Sequence, residues 1–177
     1  LIAQSETERL LIEHLHQAGI SVERTVALTA FVDRGDSVLA TVRHADGREE
    51  QVSCAWLLGC DGAHSTSRKM LGLEFAGVPA PNEMMLADCR IEGPLPTKEL
   101  SFFWHHRGIL AFFPYAAQRF RIIADMGLAQ AEGRGPDPTL AEVQKVVDER
   151  GPGNLRLVDA HWLTTFRINE RKVAQYG

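Results

Sequence analysis

The stretch Leu57-Leu58-Gly59-Cys60-Asp61-Gly62-Ala63-His64-Ser65-Thr66, closing on Arg68, sets an apolar run against a polar turn and a helix start. Trp56, Leu57 and Leu58 predict a short buried strand over 56–60, and Gly62 after Asp61 leaves the backbone open to the approach of another molecule. Ser65 is a good N-cap, so the spacing predicts a two-turn helix running to Leu71 and stopping at Gly72. A helix start at the carboxyl end of a buried strand suits a phosphate or a sugar hydroxyl, with Asp61 accepting hydrogen bonds and Arg68 reaching back to donate. On residue types alone a second reading stands beside it, with Asp61 a turn or capping residue and Arg68 a solvated surface cation.

Upstream, Ser5 and Glu8 have capping-box spacing, and Leu10, Leu11, Leu15 and Ala18 share one face before Gly19. That pattern predicts an amphipathic helix over 5–18. Ile20-Ser21-Val22-Glu23 reads as a parallel strand, followed by strands over 26–32, 38–43 and 50–54 with turn signals at Gly35-Asp36 and Asp46-Gly47. Arg34-Gly35-Asp36 spells an adhesion tripeptide, but its place between two apolar strands makes it a hairpin turn.

From Glu74 onward the character changes. Pro79, Pro81, Pro94 and Pro96 punctuate the chain, and strands over 84–91, 100–105, 108–114 and 120–124 are rich in Phe, Ile, Leu and Met. Four strands without a helix between them predict an antiparallel layer. A helix over 138–150 follows, capped by Asp137 or Thr139, with Leu140, Val143, Val146 and Val147 on its apolar face and Gly151 at its end. The segment 155–168 reads as a returning strand. The fold class is therefore mixed, α/β and α+β.

At 45% hydrophobic, 24% charged and net charge −4, the composition is that of an ordinary globular protein with one core and a smaller second lobe. There is no apolar run of about 18 residues to span a membrane, no signal-peptide pattern and no basic block for nucleic acid. Three cysteines, Cys54, Cys60 and Cys89, lack paired spacing, which points away from a disulfide framework and toward a reducing, cytoplasmic setting. Cys54, Cys60 and His64 match no common zinc spacing and lack a fourth ligand. His105 and His106 are adjacent on a strand, so only one of them can enter a pocket; a structural histidine is the competing reading.

Taken together, the segment from Leu57 to Gly77, with Gly59 to Ala63, Ser65, Arg68, Leu71, Gly72 and Phe75, resembles the second flavin fingerprint of the para-hydroxybenzoate hydroxylase-like family of FAD-dependent monooxygenases. The opening helix, the hairpins and the 56–60 segment follow the order that family uses within its flavin domain. Trp162, Phe166, Arg171 and Tyr176 resemble its approach to a third flavin motif. The first, Gly-rich motif and the third, Gly-Asp motif are missing: no Gly-x-Gly-x-x-Gly follows a strand, and Gly35-Asp36 sits in a hairpin. The chain thus reads as an internal fragment of a longer enzyme, inactive by itself.

The resemblance implies a partial FAD-binding, Rossmann-like lobe and an antiparallel-sheet substrate lobe. The expected divisions are 1–75 for part of the FAD-binding domain, 76–170 for the substrate sheet with its helix, and 171–177 for the return to the first domain. It implies FAD contacts from Asp61, Gly62 and Arg68, from Gln4 just before the first helix, and from Leu28 at the adenine end. NAD(P)H would be the co-substrate and O2 the oxidant in hydroxylation of an aromatic or similarly electron-rich small molecule, with no catalytic side chain from this segment and no metal. The alternative is a stand-alone, non-enzymatic module whose sheet binds an apolar ligand or partner.

Overall fold

A computed structural model describes residues 2–129 and 135–176. In chain order the elements are α1 (Gln4–Gln17), β1 (Ala27–Asp33), β2 (Val38–Arg43), β3 (Glu49–Cys54), α2 (Thr66–Met70), β4 (Ala76–Pro79), β5 (Asn82–Glu92), β6 (Ser101–His105), β7 (Gly108–Ala116), β8 (Arg119–Leu128), α3 (Leu140–Arg150), β9 (Arg156–Phe166) and β10 (Asn169–Lys172). The fold is mixed α/β with antiparallel sheets. It forms two compact units: the described residues of Leu1–Arg9 and Gly77–Glu170, and those of Leu10–Ala76 and Arg171–Gly177. No helix among the described residues is long and apolar enough to cross a membrane.

The unit built on Leu10–Ala76 carries the antiparallel meander β1-β2-β3. Its first turn is the hairpin expected at Arg34-Gly35-Asp36, closed by Arg34 N donating to Ser37 O at 2.8 Å and by Gly35 N donating to Asp33 Oδ1 at 2.7 Å. A bulge between Leu28 and Ala30 lets Thr29 Oγ1 donate to the Thr41 carbonyl at 3.1 Å. The apolar stripe of α1 remains uncovered among the described residues, since none of its residues is buried and both Leu10 and Leu11 are exposed.

Two expected strands do not form. Residues 20–23 and 56–60 are irregular, and Trp56 and Leu58 are each 84% exposed rather than buried. The reason is general: an apolar run becomes a strand only where a neighbouring strand satisfies its backbone, and no described segment pairs with either one. The 56–60 segment begins two residues after β3 ends at Cys54, and α2 beyond it lies against β1.

The other unit is organised by a five-stranded antiparallel sheet in the order β6-β7-β8-β5-β9. Alternation along the strands sends Met85, Ala87, Cys89, Phe112, Phe120 and Ile122 into one core with Val143, Val146 and Val147 of α3. The helix starts at Thr139, not Asp137, and Thr139 and Glu142 form a full capping box with Thr139 Oγ1 accepting from Glu142 N at 3.3 Å. The opposite face carries polar and aromatic groups. Arg121 makes a two-pronged pair with Asp88 at 2.9 and 2.8 Å and lies 5.4 Å from the Trp162 ring centroid, and Phe102 meets Phe113 edge-on at 5.9 Å. His105 and His106 do not diverge as adjacent strand residues would, because His106 falls in the β6–β7 turn; their rings lie tilted at 42° with centroids 4.1 Å apart.

Candidate functional site

Within the unit built on Leu10–Ala76 and Arg171–Gly177, a cavity of about 850 Å³ lies against the Asp61 corner. That size falls within the range of about 300–1,000 Å³ typical of small-molecule sites. Its walls come from four stretches: the β1–β2 hairpin, the segment from Ala55 to Gly62, α2 with the chain out to Phe75, and Arg171 to Tyr176. The apolar part includes Phe31, Trp56, Leu58, Leu71 and Phe75, while Asp61, Arg68, Arg171 and Lys172 supply charge.

The corner is built by interlocking side chains. Ser65 caps α2 as its sequence position predicts, with Oγ accepting from Arg68 N at 2.9 Å. Asp61 reaches over the same helix start, and its Oδ2 accepts from Ser67 N at 3.0 Å and from Ser67 Oγ at 3.2 Å. Hydrogen bonding to the Ser65 hydroxyl and then to the Ser67 amide holds the Asp61 carboxyl well below the usual carboxylate range, so it is an anion that accepts and does not donate.

These bonds revise the phosphate-cradle expectation. The helix is a single turn of five residues, not two turns, and the Ser67 and Arg68 amides at its start are already taken by Asp61 and Ser65. A phosphate would also face the Asp61 anion. The corner is suited instead to a donor such as a sugar hydroxyl, which Asp61 accepts.

Gly62 has φ 74°, a left-handed conformation, and no atom lies within 4 Å of where a Cβ would be. The backbone there is open to a ligand. Gly59 is the reverse case, since a Cβ on it would sit 2.7 Å from Ser67 Cβ and 2.9 Å from Ser67 Oγ. Gly59→Ala is therefore expected to push Ser67 off Asp61 and destabilise this unit by about 1–3 kcal/mol, the usual cost of an inserted methyl in a packed site. Denaturant unfolding of the full-length protein measures it, and an unchanged midpoint would contradict it.

Arg68 is not a solvated surface cation. It is half-buried, Nη1 donates to the Leu73 carbonyl at 3.0 Å, and its guanidinium carbon lies 5.1 Å from the Phe75 ring centroid. Its Nε is buried without a hydrogen-bond partner, and Arg68 lines the cavity. A buried donor with nothing to donate to is costly unless a ligand supplies the acceptor.

The structure thus brings Asp61, Gly62 and Arg68 to one cavity. Leu28 is half-buried beside the β1 bulge and is not part of that wall. Gln4 opens α1, grouped with the other unit, and its side-chain amide donates to Glu8 Oε1 at 3.1 Å. Sequence reasoning did not single out Ser67, the hairpin residues Asp33 and Asp36, or Lys172, and it named Arg171 and Tyr176 only in the approach to a third flavin motif. Only the alternation of Ser65 and Ser67 around the helix start hinted at the first. Among the described residues no group of His, Cys, Asp and Glu is placed to hold a metal ion.

The residues present fit a flavin dinucleotide: an anionic acceptor for a hydroxyl, an orphaned buried guanidinium donor, and broad apolar walls with an exposed Trp56. Comparison with known proteins agrees. A family model described as an FAD binding domain matches residues 1–177. A flavin-dependent monooxygenase of Mycobacteroides abscessus is 30% identical over 189 residues, covering 99% of this chain and 37% of that protein. The 12-dehydrotetracycline 5-monooxygenase/anhydrotetracycline 6-monooxygenase of Streptomyces rimosus subsp. rimosus is 30% identical over 184 residues, covering 99% of this chain and 36% of that protein. Among solved structures, OxyS anhydrotetracycline hydroxylase from Streptomyces rimosus superposes with a TM-score of 0.73 at 27% identity, covering 100% of this chain and 35% of that one. The chain spans about a third of the length of the curated relatives it matches.

Proposed function

Because this chain belongs to the FAD binding domain family, we propose that it forms part of a flavin-dependent monooxygenase that hydroxylates an aromatic or similarly electron-rich small molecule with NAD(P)H and O2. The observation that carries the reading is the cavity at the Asp61 corner, where an acceptor-only carboxylate and an unsatisfied arginine donor meet an apolar wall.

In this reading Asp61 accepts a hydrogen bond from a sugar or ribityl hydroxyl of FAD, Gly62 lets the cofactor approach the backbone, and Arg68 donates through Nε. Arg171 and Lys172 provide positive charge for the phosphates. Gln4 and Leu28 are further cofactor contacts by resemblance alone. When bound, the flavin supplies the redox chemistry: reduction by the nicotinamide and transfer of one oxygen atom from O2 to the substrate. The chain's own part is to hold and orient the cofactor, keep Asp61 ionised, and exclude water with the Trp56, Leu58 and Phe75 surfaces.

The five-stranded sheet is the proposed substrate wall, through the face that carries Phe102, Phe113, Arg121 and Trp162. Polycyclic aromatic substrates of the tetracycline type are the class suggested by the names of the relatives. The three cysteines, all free thiols, support a cytoplasmic location. The test is to purify the full-length protein, record its visible spectrum, and follow O2 uptake with NADH or NADPH across a panel of phenolic substrates. A flavin spectrum with substrate-dependent O2 uptake supports the reading, and a colourless protein that takes up no added FAD overturns it.

A further inference from the structure

We infer that Ser67 is a positioning residue for this cofactor site: it ties up Oδ2 of Asp61 so that Oδ1 is presented to a hydroxyl of the bound flavin. The inference rests on the flavin reading of the cavity given above.

Ser67 is the second residue of α2, lines the cavity and is only 7% exposed. Its amide and its hydroxyl both donate to the same carboxylate oxygen, at 3.0 and 3.2 Å. A carboxylate offers about four lone-pair positions, two on each oxygen. With both Ser67 donors filling Oδ2, the acceptor capacity that the Ser65 hydroxyl and the Asp61 amide leave for a ligand lies on Oδ1. Two anchors also restrain the aspartate's terminal torsion, which is otherwise broad and roughly two-fold.

The hydroxyl bond has no role in capping the helix. The Arg68 amide is satisfied by Ser65, and the Ser67 amide is satisfied by Asp61 itself, so the Ser67 hydroxyl satisfies no orphan backbone group. What it acts on is the carboxylate. Gly59 completes the arrangement from the other side, since the missing Cβ is the space in which the Ser67 side chain rests. Asp61 is then an acceptor fixed in direction before the ligand arrives, and no proton moves when a hydroxyl binds it. Preorganisation of this kind lowers the ordering cost of binding.

The test is a double-mutant cycle on FAD dissociation constants, measured by flavin fluorescence on the full-length apoprotein: wild type, Ser67→Ala, Asp61→Asn and the double variant, with Ser67→Thr as the conservative rescue. Alanine is the better helix former, so Ser67→Ala keeps α2; an unchanged melting temperature verifies that. The expected result is a loss of about 3- to 10-fold in affinity for Ser67→Ala, the usual size for one hydrogen bond. Ser67→Thr should bind within about twofold of wild type, and the double variant should be no weaker than Asp61→Asn, because Ser67 acts through the carboxylate. Wild-type affinity in Ser67→Ala, or penalties that simply add in the double variant, overturns the inference. If Asp61→Asn binds FAD as tightly as wild type, the flavin reading of Asp61 itself fails and the inference falls with it. That result is separable from one in which Asp61→Asn is weak and Ser67→Ala is not.

Discussion

Asp61→Ala is expected to weaken FAD binding by the full-length protein by about 10- to 100-fold, the range for removing a hydrogen-bonding partner that is ionised. Two losses combine in this variant. The ligand loses its acceptor, and the Ser67 amide at the start of α2 loses its side-chain partner. Asp61→Asn separates them, since an amide oxygen can still accept from Ser67 but carries no charge. Its affinity should lie between wild type and Asp61→Ala in a flavin fluorescence titration. Binding by Asp61→Ala within about twofold of wild type would remove Asp61 from the site.

The pH behaviour follows from the same bonds. Because the Ser65 hydroxyl and the Ser67 amide depress the Asp61 carboxyl, the folded group stays ionised throughout the neutral and mildly acidic range. Its contribution to stability is fully present above the ordinary carboxylate value of about 3.9 and is lost only as pH falls below it toward the folded value. FAD affinity should therefore show no Asp61-linked decline between about pH 8 and pH 5.

The second large effect concerns the sheet unit. Phe112 is fully buried, meets Phe103 edge-on at 5.8 Å, and pairs in register with Ile122 of β8. Phe112→Ala is expected to cost about 3–5 kcal/mol, combining lost transfer energy with an unfilled cavity. Against a typical total of about 5–15 kcal/mol for a domain, this leaves the unit marginal at best. Phe102, half exposed on the other face, is the control, and its alanine variant should cost under about 1 kcal/mol despite its own edge-on contact with Phe113. Denaturant unfolding distinguishes them, and equal costs for the two would contradict the assignment of faces.

Local chemistry was the legible part of this chain. The hairpin at Gly35-Asp36, the Ser65 cap, the α3 cap at Thr139 and the alternating strands of the second half all depend on residues a few positions apart, and all form, whereas Ser5, read as the cap of a Ser5–Glu8 box, lies inside α1, which begins at Gln4. Residues 20–23 and 56–60 look like strands by apolar content, yet a strand depends on a partner that apolar content alone does not supply. Asp61 was legible as a residue type but not in its double duty, because only the folded corner reveals that one oxygen is committed to Ser67. Arg171 and Lys172 reach the cavity through the return of the chain about a hundred residues later, a return that only the family resemblance, and no local pattern, suggested.

The central claim is that the flavin occupies the cavity beside Asp61, and the neighbouring Cys60 offers the most direct probe of it. Cys60 is exposed and lines that cavity, whereas Cys89 is buried and its thiol is pushed up to about 11 by that burial, which makes it an unreactive internal reference. Alkylation of the full-length apoprotein with N-ethylmaleimide, read peptide by peptide by mass spectrometry with and without saturating FAD, should show Cys60 modified readily in the apoprotein and strongly protected once FAD is bound. Equal labelling of Cys60 in the two states, with FAD demonstrably bound, would place the cofactor elsewhere.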